Sequence, residues 1–324
     1  QEHVRPNQIA TRSESTMSRY YEALRRLEKE QRQAGTDDVA EAAARPAEVI
    51  GGILTEPVEL QEAPAAEVEV SPASRFVALT EPRSLGAEKF RALVTRLENL
   101  RQQRELKCLQ ITSSATNEGK TLVAGNLAMT LAMHSGCKVL LVEGDLHRPA
   151  LAARLGLPQL PGLSHWWTER DESIGRYVYK LNGMPLWFLS AGSACDQPSQ
   201  ILQSARFVEA FARLCGQFEW IVVDSTPMLP TADANLWSRL VDGMLLVVRE
   251  GVTQVKSLKS GLAGLDNPKL IGVVLNEASE FKGRYYATPG DGNDSFEQHS
   301  LFRNVRARLL LASRRRTERS RIKK

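Results

Sequence analysis

The chain has 324 residues and a formal net charge of +4, enough length for one or two domains with a sizeable core. Its four cysteines (Cys108, Cys137, Cys195 and Cys215) show no metal-binding or redox spacing, which speaks for a reducing, cytosolic setting and against a disulfide framework. No apolar run approaches the roughly 18 residues that span a bilayer and no signal peptide is visible, so a soluble chain, or one held at a membrane by something else, is expected.

Residues 1–35 form an N-terminal segment in which 17–33, "MSRYYEALRRLEKEQRQ", is a charged helical stretch with Tyr21, Leu24 and Leu27 on one face. Residues 36–75 are rich in Ala, Glu and Pro and strongly acidic, the composition of a disordered, self-repelling linker. From 76 to 280 short β-branched runs alternate with longer helical ones. The predicted strands are 107–112, 138–143, 186–191, 219–224, 244–249 and 271–276, each a nearly continuous apolar run of the kind buried on both faces of a parallel sheet. Helices are predicted at 120–134, closed by Gly136, and at 199–216. This alternation predicts an α/β fold with a doubly wound, mostly parallel sheet. Residues 281–324 make a tail: a Gly/Asp/Asn-rich stretch, then a basic end from Arg303 to Lys324 with ten basic residues and one acid, Glu318. No nucleic-acid recognition motif accompanies that charge, so nucleic acid is not the expected partner.

The chemistry begins at "SATNEGKT", residues 114–121. A full phosphate-binding loop reads G-x-x-x-x-G-K-[ST], its N–H groups cradling phosphates while the lysine reaches the β and γ oxygens. Here Gly119, Lys120 and Thr121 are present, and Ser114 stands at the leading glycine. The loop (Ser114, Ala115, Thr116, Asn117, Glu118, Gly119, Lys120, Thr121, Leu122) follows a predicted strand and opens a predicted helix, which aims N–H groups and a helix dipole at an anion. "VLLVEGDLHRP" places Glu143 and Asp145 at the end of a second strand, where open α/β sheets bind ligands. "WIVVDSTP" ends a third on Asp224. Thr121, Asp145 and Asp224 carry the hard oxygens that Mg²⁺ takes beside substrate phosphates. Each element alone has an ordinary reading as a cap or a turn; their combination predicts a nucleotide site.

The order of that loop, "VLLVEGDLHRP", "IVVDSTPML" and "DGMLLVVREGVT" resembles the bacterial tyrosine autokinases of exopolysaccharide and capsule loci, over about residues 76–280. "MSRYYEALRRLEKE" is similar to the opening of such kinases and favours Met17 as the natural start. The resemblance implies a P-loop fold, ATP and Mg²⁺, and phosphoryl transfer to tyrosine. By it, Lys120, Glu143, Asp145 and Asp224 are the catalytic positions, and Asn276, ending "GVVLN", lies near the adenine unless it is an ordinary strand-end residue. Glu88 and Arg91 in "AEKFRALVTRL" match the family's oligomerisation helix, implying a homo-oligomer, and a membrane-embedded polysaccharide co-polymerase is the implied activator. Cytoplasmic placement at the inner face of the cell membrane follows. Tyr285 and Tyr286, in the glycine- and proline-bearing "FKGRYYATPGDGND", match the family's C-terminal acceptor cluster; Tyr177 and Tyr179 alternate like strand residues.

This sequence also departs from the family. Ala115, where partitioning ATPases carry a signature lysine, argues against that branch. Thr116-Asn117 replaces the usual Pro-Gly, and Asn tolerates the left-handed conformation better than most residues. Glu143 replaces the first aspartate of a D-x-D pair, so Glu143→Asp is expected to raise the kinase rate if the longer side chain mispositions the metal or the hydroxyl. Val94 replaces the helix's second arginine. The alternative is therefore a weakly catalytic or inactive nucleotide-dependent switch. Leu309, Leu310 and Leu311 among arginines also give the tail the pattern of a helix on an anionic membrane surface, beside the plain alternative of a solvated end.

Overall fold

A computed structural model describes residues 63–278 except 171–172, 230–231 and 266–268. The predicted 17–33 helix, the linker up to residue 62 and the tail with Tyr285 and Tyr286 lie outside the described residues. Among the described residues eight strands form one sheet: β1 Ala65–Ala66, β2 Cys108–Ser113, β3 Val139–Glu143, β4 Val178–Leu181, β5 Leu186–Leu189, β6 Trp220–Asp224, β7 Gly243–Arg249 and β8 Leu270–Asn276, in the order β1-β4-β5-β3-β6-β2-β7-β8. Every neighbouring pair is parallel except β4–β5. This is the mostly parallel α/β sheet read from the apolar runs.

Side-chain alternation along the strands feeds a core on each face. Leu109, Ile111, Val139, Leu141, Trp220 and Val222 join one core, while Leu140, Val142, Ile221 and Val223 join the other. Helices cover both. Helix α1 is Val77–Thr80, α2 Leu85–Arg101, α3 Lys120–Ser135, α4 Leu151–Arg154, α5 Leu163–Thr168, α6 Pro198–Gln203, α7 Ala205–Gln217, α8 Asp233–Leu240 and α9 Val255–Ala263. Among the described residues no helix is long and apolar enough to cross a membrane.

Three local findings differ from the sequence reading. First, residues 63–75, assigned to the linker, belong to the folded domain. β1 pairs with β4, and Ala66, Val68 and Val70 turn inward while Glu67 and Glu69 face solvent, a period-2 pattern hidden in an acidic stretch. Second, the predicted helix 199–216 is two helices, because Ser204 is extended and its side chain accepts from Phe207 N at 3.1 Å to cap α7. From there Phe207, Phe211 and Leu214 repeat at helical spacing and are buried. Third, β4 was not predicted as a strand; Tyr177 and Tyr179 flank its start, both buried and bonded through their hydroxyls, to Glu169 at 2.5 Å and to the Pro161 carbonyl at 3.1 Å.

Helix α2 begins at Ser84, whose hydroxyl accepts from Ala87 N, and carries a Glu88–Arg91 ion pair at 2.6 Å. Val94 is completely buried, which explains why this position holds no arginine: its side chain packs in the core. The segment before α2 is fastened to α3. Ala78 N donates to Asn126 Oδ1 and Asn126 Nδ2 donates to Arg75 O, both at 3.1 Å. The buried Phe76 ring lies so close over Gly125 that a Cβ there would come within 2.3 Å of it.

Candidate active site

β2 delivers the chain at Ser113, and α3 starts at Lys120, so loop 114–119 sits at the carboxyl end of a central strand. The first-turn N–H groups of α3 have no intrahelical acceptor and are oriented for an anion. Two residues turn the loop in left-handed backbone: Asn117 at φ +62° and Gly119 at φ +98°. Asn117 adopts the conformation expected of it. Gly119 is needed for space too, since a Cβ would lie 2.0 Å from Asn276 Nδ2. Asn276 donates that amide to Glu118 O at 3.0 Å, so it braces the loop backbone from the end of β8.

Lys120 gathers the acids. Its Nζ lies 3.0 Å from Asp145 Oδ2, 3.5 Å from Thr121 Oγ1 and 4.0 Å from Asp224 Oδ1. Asp145 Oδ1 accepts from Arg148 N at 3.1 Å, which fixes the turn after β3. Asp224 is buried, and among the described residues its Oδ1 meets no hydrogen-bond donor. Burial raises its pKa to about 6; Lys120 and the Thr121 hydroxyl pull it down, while Asp145 and Glu143 add to the rise. An orphaned, buried carboxylate oxygen beside a hydroxyl and a second carboxylate fits a hard divalent cation, and Thr121, Asp145 and Asp224 are the residues that would hold magnesium.

Glu143 does not join that cluster. Its Oε1 accepts from Leu151 N at 2.6 Å and Ala152 N at 3.1 Å, and its Oε2 from Ala191 N at 3.1 Å. The side chain is buried; it caps α4 and ties it to the strand-end loop after β5. The extra methylene that sequence reasoning directed toward the metal serves instead to span these three amides. Glu143→Asp is therefore expected to lower stability by about 1–3 kcal/mol through lost bonds to buried N–H groups, a thermal midpoint drop of roughly 2–10 °C by calorimetry. A raised kinase rate with an unchanged midpoint would show that the carboxylate faces the reacting atoms.

Three contacts were missed. His147 Nε2 lies 3.0 Å from Asp233 Oδ2, linking the turn after β3 to α8; burial raises the Asp233 pKa, and His147 opposes the rise. The Glu118 carboxylate folds back into its own loop, and Arg249 reaches Asn117 O at 3.2 Å. "EGK" and "REGVT" are where a sequence signal for the last two would lie.

Comparison with known proteins bears on this arrangement. No family model matches the chain. It is 32% identical over 225 residues to the tyrosine-protein kinase YwqD of Bacillus subtilis strain 168, covering 68% of this chain and 93% of that protein. It is 32% identical over 216 residues to the succinoglycan biosynthesis transport protein ExoP of Rhizobium meliloti strain 1021, covering 63% of this chain and 26% of that protein. Among solved structures, the kinase domain of the Escherichia coli tyrosine kinase ETK superposes with a TM-score of 0.58 at 25% identity, over 72% of this chain and all of that domain.

Proposed function

The chain belongs to the bacterial tyrosine kinases of capsule and exopolysaccharide loci and is a protein-tyrosine kinase, and from that premise we propose that it transfers the γ-phosphoryl group of ATP to Tyr285 and Tyr286 of a neighbouring copy. The observation that carries this reading is the meeting of Lys120 with Asp145 and Asp224 at the carboxyl ends of adjacent parallel strands. Lys120 binds the β and γ oxygens, and the N–H groups of Gly119, Lys120 and Thr121 cradle them. Asn276 stands beside the loop on the side proposed for the adenine. Magnesium, when bound, supplies charge neutralisation at the phosphate oxygens. Asp145 and Asp224 hold the metal and, from the same centre, position the attacking tyrosine hydroxyl.

We assign the activator to the class of membrane-embedded polysaccharide co-polymerases, consistent with the match to part of ExoP. Assembly of copies runs through the Glu88–Arg91 face of α2. The basic tail adds attraction to anionic lipid, and the site of action is the inner face of the cell membrane. A nucleotide-dependent switch without tyrosine transfer is the second reading. One observation favours it: Glu143, at the family's first aspartate, is committed to backbone amides.

Tyr285→Phe/Tyr286→Phe is expected to remove most phosphotyrosine from protein incubated with Mg·ATP, read by mass spectrometry. Signal persisting on the other four tyrosines would overturn the acceptor assignment and leave the kinase standing; no phosphotyrosine on the unaltered protein would favour the switch.

A further inference from the structure

The carboxylate of Glu118 is 1% exposed, inside a loop built to receive anions. It accepts from Ser114 N at 2.8 Å, Ala115 N at 3.1 Å, Ser114 Oγ at 2.9 Å and Thr253 Oγ1 at 2.6 Å. Thr253 lies just before α9, and its hydroxyl also accepts from Arg249 N at 2.9 Å. Arg249 in turn donates from Nη1 to Asn117 O at 3.2 Å and from Nε to Glu277 Oε2 at 2.7 Å. The phosphate loop is thus gripped from outside at two points by the turn that follows β7.

We propose that Glu118, Thr253 and Arg249 are positioning residues that set the shape of the phosphate loop before nucleotide arrives, in place of the glycines and proline this loop lacks. The proposal rests on the nucleotide-site part of the reading above. An internal carboxylate occupies the amides of Ser114 and Ala115 and leaves those at the start of α3 for phosphate. A buried carboxylate with four donors is well satisfied, whereas the same charge without them would repel a nucleotide. Asn117 in left-handed backbone is strained relative to glycine, and the bond from Arg249 to its carbonyl holds that conformation. These residues touch no reacting atom; they act through the loop, as outer-layer partners orient the groups that bind.

Thr253→Val keeps the shape of the side chain and deletes its hydroxyl, and Thr253→Ser keeps the hydroxyl. By calorimetry with Mg·ADP, Thr253→Val is expected to weaken binding about tenfold or more, and Thr253→Ser to restore it to within about twofold. In phosphotyrosine assays the loss appears as a raised KM for ATP with kcat held. Adding Glu118→Gln to Thr253→Val should weaken binding less than Glu118→Gln does alone, because both break one network. Amide exchange at Ser114 and Ala115 gives a readout independent of nucleotide: it quickens in Thr253→Val and stays slow in Thr253→Ser. Unchanged exchange, or affinity within about twofold of the unaltered protein for Thr253→Val, overturns the proposal. If the unaltered protein binds no Mg·ADP, the nucleotide reading fails, and the exchange data alone decide the brace.

Discussion

Lys120→Met is expected to reduce Mg·ATP affinity by at least about 30-fold, the lower end of what truncating one partner of a desolvated charge pair produces. In the folded protein the ammonium lies between two carboxylates, 3.0 Å from Asp145 and 4.0 Å from Asp224. Methionine fills similar volume but neutralises nothing, so phosphate entering the loop would meet two uncompensated acids. The same change acts on the ligand-free protein. Lys120 is the main opponent of the burial that raises the Asp224 pKa, so its removal pushes that pKa further up. A group whose folded pKa exceeds its unfolded value destabilises progressively as pH rises through that interval. Lys120→Met should therefore lose thermal stability at pH 7–8 and recover most of it near pH 4. Calorimetric titration, with melting curves across pH, checks both halves; undiminished nucleotide affinity would remove the phosphate-loop reading.

Asp224→Asn should move activity and stability in opposite directions. Activity is expected to fall at least about 100-fold, since a preorganised group of the reaction centre is lost. Stability is expected to rise. Burial raises the folded pKa to about 6 from the ordinary 3.8 of an aspartate, so ionising Asp224 in the folded state is unfavourable by on the order of 2–3 kcal/mol at neutral pH. The folded form binds the proton more tightly. Hence the destabilisation is absent below about pH 4, grows between 4 and 6, and is complete above 6. The asparagine variant escapes it, and its advantage in melting temperature should be full at pH 7.5 and vanish near pH 4. Equal melting temperatures at pH 7.5 would show that the ligand-free protein already satisfies this carboxylate.

Six strands were legible to within two residues: five because a strand covered on both faces must be apolar nearly throughout, and the half-buried edge strand β8 because its run is equally apolar. The remaining two, edge strand β1 and its neighbour β4, were not. β1 is two residues long in an acidic setting, and β4 gave only the alternation of Tyr177 and Tyr179. The places of Lys120 and Thr121 at the opening of a helix, and of Asp145 and Asp224 at or just past strand ends, were legible from the strand–loop–helix pattern. What Glu143 does was not, because the three amides it serves come from α4 and the loop after β5, and no local pattern announces them. Glu118 and Thr253 stand 135 positions apart. Val94 shows the converse: its place on the helix was plain, but only packing revealed that it faces inward.

The fastening of Phe76 and Arg75 to α3 has a mechanical consequence. Upstream of it the described chain is held by β1, two residues paired with β4, and by the half-buried Val68 and Val70. Tension arriving through residue 62 meets a short zipper first and a rivet second. The zipper would part early and free the dozen residues 63–74, whose fully extended length is roughly 40 Å. The Phe76 ring over Gly125 and the two Asn126 bonds would feel the load only after that segment was drawn taut. On that order of events α3 would be loaded by a large displacement of the upstream chain and not by a small one.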